Sequence, residues 1–80
     1  MKAKVFVSLK PSILDPQGKT IADALQTLGY GSIQDVRQGK YFELEINESD
    51  IEKAKIVAEE ICKKLLTNTV IEDYKINLVQ

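Results

Sequence analysis

The groupings in this 80-residue sequence that could do chemistry are few: two carboxylates, one thiol, and three glycine-bearing turns. Glu43 and Glu45 lie two apart, so on an extended strand they share a face and could act as an acid–base pair. Their alternation with Phe42, Leu44 and Ile46 is already accounted for by a strand with one buried and one solvated face. Cys62 sits beside Ile61 and Leu65 near the apolar boundary of a helical segment, where a free cysteine behaves as a small hydrophobe. The sequence contains no histidine. Ser–His and Cys–His nucleophile pairs therefore cannot form within the chain, and a zinc site would have Cys62 alone from its usual ligand set. Gly18-Lys19-Thr20 resembles the end of a phosphate loop, but Ile13 occupies the place of its first glycine. Gly39-Lys40 fails in the same way, with Gln34 upstream and Tyr41 where a magnesium-binding hydroxyl belongs. Gly29-Tyr30-Gly31 lacks its third glycine, again at Gln34. The expectation is a chain with no catalytic, cofactor or metal site of its own.

What remains is chemistry of recognition. Arg37 is the sole arginine and stands with Gln38, Gly39, Lys40 and Tyr41 at a tip, where arginine and tyrosine are common interface anchors. The connection Lys10-Pro11-Ser12-Ile13-Leu14-Asp15 brings Ile13 or Leu14 into a loop, to be covered by the sheet edge or by a partner. Eleven basic against twelve acidic residues give a net charge of −1, which offers nothing to attract nucleic acid or an anionic membrane. No apolar run approaches the roughly 20 residues that span a bilayer. The first residues lack a signal peptide's pattern, and one cysteine suits a reducing compartment, so a cytoplasmic protein is expected.

These residues must be positioned by a small set of elements. Lys2 to Leu9 alternates as a strand. Asp15-Pro16 forms a helix start, with Asp15 as N-cap and Pro16 in the first turn, and the helix carries Ile21, Ala22, Leu25 and Leu28 to a stop at Gly29. Ser32 to Asn47 reads as a hairpin turning at Gln38-Gly39. Its first strand is irregular, because Ile33 and Val36 are three apart; its second alternates cleanly from Tyr41. Ser49 and Glu52 have the spacing of a capping box before a second helix with Ile51, Ala54, Val57, Ala58, Ile61 and Leu65 on its apolar side. Val70 to Val79 closes the chain as a strand.

The order β-α-β-β-α-β predicts one α+β domain over residues 1–80: a ferredoxin-like, or related, two-layer sandwich. Two helices would cover one face of a four-stranded antiparallel sheet. The other face would show Phe6, Tyr41 and Val79 among charges. A domain this small with a bare face is expected to assemble as a dimer or tetramer.

Four blocks then carry a resemblance: Val7-Ser8-Leu9-Lys10, Leu14-Asp15-Pro16-Gln17-Gly18, Asp35-Val36-Arg37-Gln38-Gly39-Lys40, and the run from Cys62 to Tyr74. In this order, and across essentially the whole chain, they resemble the PurS family of small subunits of phosphoribosylformylglycinamidine (FGAM) synthase. The resemblance implies a PurS-like fold and a non-catalytic part in the fourth step of de novo purine synthesis. In that reaction a glutaminase, PurQ, releases ammonia, and a synthetase, PurL, spends ATP with magnesium to place it on the amide carbon of the substrate. The family is similar to an adaptor: dimers or pairs of dimers bridge PurL and PurQ and support ammonia transfer, binding no cofactor themselves. Leu14, Asp15, Gln17, Arg37, Lys40 and Tyr41 are the expected partner-binding residues. The competing reading is a ligand-binding regulatory module of the same fold, for which Gly29-Tyr30-Gly31 is the one usable feature.

Overall fold

The computed structural model describes residues 1–80. Strands β1 (Lys2–Leu9), β2 (Gly39–Glu45) and β3 (Glu72–Val79) and helices α1 (Pro16–Thr27) and α2 (Ile51–Ile61) follow in the order β1-α1-β2-α2-β3. β1 is the central strand of an antiparallel sheet of order β2-β1-β3, with Val5 opposite both Phe42 and Ile76. Strand alternation sends Ala3, Val5 and Val7 to one face, where they are buried together with Ala54, Ala58 and Cys62 of α2 and the turn after it. Phe42, Leu44, Leu66, Tyr74 and Ile76 pack around this centre, each half-buried. The two alanines matter because a methyl side chain lets the α2 backbone lie close on the strands.

The α+β, antiparallel, ferredoxin-like arrangement expected from the sequence is present, with three details corrected. The sheet has three strands instead of four, since Ile33 to Gln38 forms no strand and runs directly into β2. No substantial contact joins α1 to the sheet, so α2 alone covers the inner face. The cap of α2 is Asp50, which accepts from the Glu52 amide at 2.9 Å, and the Ser49–Glu52 box does not form. The cause is Glu48: its carboxylate takes the amides of Ser49 and Asp50, both at 3.1 Å, and the helix starts one residue later. Beyond Ile61 the helix widens into a π-helical turn over Cys62–Leu66, closed by the Thr67 amide donating to the Cys62 carbonyl at 2.9 Å.

Residues 10–38 leave β1 and return to β2 at the same end of the sheet, forming an arm built around α1. Asp15 caps this helix, Pro16 opens it, and Gly29 at φ 95° ends it in the left-handed conformation that favours glycine. The arm gives the molecule an extended outline of 49 × 26 × 14 Å.

Candidate functional site

Five of the six expected partner-binding residues meet where the arm leaves the sheet. Asp15 is 5% exposed and is held by backbone amides: Gly18 donates to one carboxylate oxygen at 2.9 Å and Gln38 to the other at 2.6 Å. These two hydrogen bonds, that from Gln38 first, lower the Asp15 carboxyl below the ordinary carboxylate range. Arg37 closes the same base from outside, its Nη2 donating to the carbonyls of Lys10 at 3.1 Å and Ile13 at 2.9 Å. Gly18 completes the joint, because a Cβ there would collide with the Val36 carbonyl and the Asp15 carboxylate. Asp15 and Arg37 thus spend their polar groups within the chain, holding the arm in place.

The neighbours of these two residues face outward. A cleft of about 260 Å³ opens between the arm and the sheet, with Asp15, Gln17, Gln38, Lys40 and Glu72 on its walls. Lys40 Nζ lies 3.6 Å from a Glu72 carboxylate oxygen. On the other side of the joint, Leu14 and Arg37 border a second cleft of about 210 Å³, and the Leu14 side chain is 71% exposed. Gln38 and Glu72 were not among the expected site residues. Glu72 lies within the Cys62 to Tyr74 run, but nothing local pointed to its pairing, since its approach to Lys40 depends on β2 and β3 flanking the same strand.

Tyr41 stands apart from this joint. It lies on the outer sheet face, with its ring centroid 4.9 Å from that of Phe6. Its hydroxyl donates to Glu43 at 3.0 Å, while Lys2 Nζ lies 3.2 Å from Glu43 and 3.8 Å from Glu45. The Tyr41 hydrogen bond, followed by Lys2, lowers the Glu43 carboxyl. Burial and the same Glu43 contact raise the phenol, and Glu43 raises the Lys2 ammonium. Glu43 is therefore stabilised as a carboxylate bound by donors, the opposite of a group poised to exchange protons near neutrality. Burial, with Glu59 nearby, pushes the Cys62 thiol up and keeps it protonated and unreactive. What this surface can offer is shape, a charged pair and an aromatic pair: the means of recognition.

The sequence matches the family described as "PurS: Phosphoribosylformylglycinamidine (FGAM) synthase" over residues 2–80. The chain belongs to the PurS family. Among its relatives, the phosphoribosylformylglycinamidine synthase subunit PurS of Bacillus subtilis is 54% identical over 74 residues, covering 92% of this chain and 87% of that protein. A crystal form of B. subtilis PurS superposes with a TM-score of 0.87 at 49% identity, covering 99% of this chain and 98% of the other. PurS of Methanocaldococcus jannaschii is described as one of the subunits of formylglycinamide ribonucleotide amidotransferase in the purine biosynthetic pathway. It superposes with a TM-score of 0.86 at 43% identity, over 95% of this chain and 92% of that one. A chain in the PurLQS structure from Thermotoga maritima gives a TM-score of 0.89 at 29% identity, over 98% and 95%. Membership makes this chain a subunit of the FGAM synthase ligase, and the regulatory-module reading is set aside. No helix is long and apolar enough to cross a membrane.

Proposed function

We propose that this PurS-family chain works in the cytoplasm as the adaptor of FGAM synthase, joining a PurL-type synthetase to a PurQ-type glutaminase. The observation that carries the reading is the likeness, over nearly the full chain, to a subunit of the T. maritima PurLQS structure. ATP and magnesium act in the synthetase, and this chain contributes position. The chemistry explains why position has value. Ammonia is a nucleophile only when unprotonated, and in neutral water most of it is protonated and diluted. A sealed path between the two catalytic sites avoids both losses.

The docking surface in this reading is the joint of arm and sheet. Leu14, Gln17 and Lys40 meet the partners there, Asp15 and Arg37 hold them at a fixed spacing, and Tyr41 offers a second contact on the outer sheet face. The test combines purified PurL-type and PurQ-type subunits with and without this chain. Glutamine-driven FGAM formation is expected to need the chain, whereas ammonium salts at alkaline pH should support the synthetase without it. Equal glutamine-driven rates in both mixtures would overturn the adaptor role. Leu14→Asp with Lys40→Glu should abolish co-purification of the three subunits; if the complex survives, the surface lies elsewhere.

A further inference from the structure

The end of α2 is arranged in a way that periodicity alone does not require. At about 100° per residue, a continuous α-helix would place the buried Ala54, Ala58 and Cys62 on one stripe with Leu65 inside it. Leu66 would then stand about 80° from the middle of that stripe. The structure has the reverse: Leu66 packs against the core, and Leu65 is 80% exposed. The π-helical turn makes the exchange. Its Thr67–Cys62 bond spans five residues, one more than an α-turn, so each residue after Cys62 lags behind its α-helical position. Leu66 thereby takes the inward place, and Leu65 is turned out.

For the chain alone this register has two costs. It leaves a leucine in water, and it buries Thr67 with a hydroxyl that finds no hydrogen-bond partner. Turns of this kind are frequent at functional sites.

The surroundings of Leu65 say what would cover it. Val70, on the turn that follows, is 79% exposed. Residues 61–71 contain Lys63 and Lys64 and no carboxylate. Lys10 is brought alongside by its amide, which donates to the Ile71 carbonyl at 2.8 Å. None of these three lysines makes an ion pair. The nearest carboxylate in sequence, Glu72, accepts from the Asn68 amide at 2.8 Å and faces Lys40, while strand alternation sends Asp73 to the outer sheet face. A helix end accounts for the lysines; it does not account for a leucine turned out beside them. A second copy does not suit the patch, because a two-fold axis would set this basic surface against itself. The complement is a protein surface with an apolar pocket and a rim of carboxylates. Position favours the same occupant: through Glu72, the turn that carries Val70 is tied to Lys40 at the joint.

We propose that, within the adaptor role argued above, Leu65 anchors a second docking patch. It seats in an apolar, carboxylate-rimmed pocket on a catalytic subunit of FGAM synthase, with Lys63 and Lys64 on the rim. The π-helical turn is the device that holds Leu65 out for this contact.

The test titrates purified PurL-type and PurQ-type subunits, separately and as a mixture, with three chains by calorimetry at low and physiological salt. The chains are the parent, Leu65→Ser, and the double variant Lys63→Glu with Lys64→Glu. One subunit is expected to bind Leu65→Ser about tenfold more weakly or worse. The same subunit should bind the double variant more weakly and with less dependence on salt, while the other subunit binds all three chains alike. Because these side chains are exposed, the thermal midpoint and the mass by light scattering should match the parent. Parent-like binding of both variants overturns the patch and leaves the adaptor reading standing. A parent chain that binds no subunit overturns both. A changed mass for Leu65→Ser would put a second copy on the patch and also overturns the proposal.

Discussion

Glu43 shows why a suggestive residue pair need not be a site. Its spacing from Glu45 satisfies the geometry of an acid–base pair, yet Tyr41 and Lys2 both donate to it and stabilise its charge. Replacing Tyr41 by Phe removes the first of these donors, so the Glu43 carboxyl should titrate at higher pH than in the parent chain. Carbon-detected NMR titration of the side chain measures this directly, and an unchanged midpoint would mean that the hydroxyl contact is absent in solution. Asp15 has a larger structural share. Its carboxyl titrates below its unfolded value, so the stability it contributes is complete above the ordinary carboxylate range and is lost as pH falls through the folded-state value. Asp15→Ala removes a helix cap and the tie to Gln38, and should lower the thermal midpoint by roughly 4–8 °C at pH 7. Because protonation disables the native carboxylate as an acceptor, calorimetry at strongly acid pH should find the difference between the two chains much smaller.

Among the elements, the ones set by local periodicity were the legible ones. Val5 and Val7, then Phe42 and Leu44, then Tyr74, Ile76 and Leu78 alternate as required, and the structure has a strand at each place. Asp15-Pro16 and Gly29 bounded α1 correctly, since capping is decided by the residues at the helix ends themselves. The segment 32–38 was not legible in the same way. Ile33 and Val36 fit neither a two-residue nor a clean helical period, and whether such a stretch pairs depends on an edge elsewhere. The candidate site divides along the same line. Leu14, Asp15, Gln17, Arg37 and Lys40 do gather at one joint, whereas Tyr41 belongs to another surface and Glu72 arrives only through sheet order. The small residues of α2 give an element-scale prediction. Ala58 is fully buried against the sheet, so Ala58→Leu has no room and should destabilise the chain by about 1–3 kcal/mol. Lys55→Ala, on the exposed side, should stay within about 0.5 kcal/mol by urea denaturation. Equal effects would mean that α2 does not lie on the sheet by this face.

The fully buried apolar side chains of the whole molecule are Ala3, Val5, Val7, Ala54, Ala58 and Cys62, a small core for a chain of this length. Hydrophobic burial must offset the entropy of ordering every residue, and that ordering includes an arm that returns almost no burial to its own chain. If such a chain gains its missing burial by association, its folding is linked to mass action. The consequence is measurable without any partner subunit. With an unfolding enthalpy of about 0.7 kcal/mol per residue over two chains, a tenfold rise in concentration should raise the thermal midpoint by roughly 4–5 °C. A monomer that folds alone has a midpoint independent of concentration. Scans across two decades of protein concentration therefore separate the two cases, and a flat result would place the folding energy within the single chain. The slope also bears on the adaptor role. A joint used to fix two larger subunits must itself be rigid; the Asp15–Gln38 and Arg37–Lys10 bonds already tie the arm to the sheet end that carries Lys40 and Glu72, and a concentration-dependent midpoint would show association adding to that constraint.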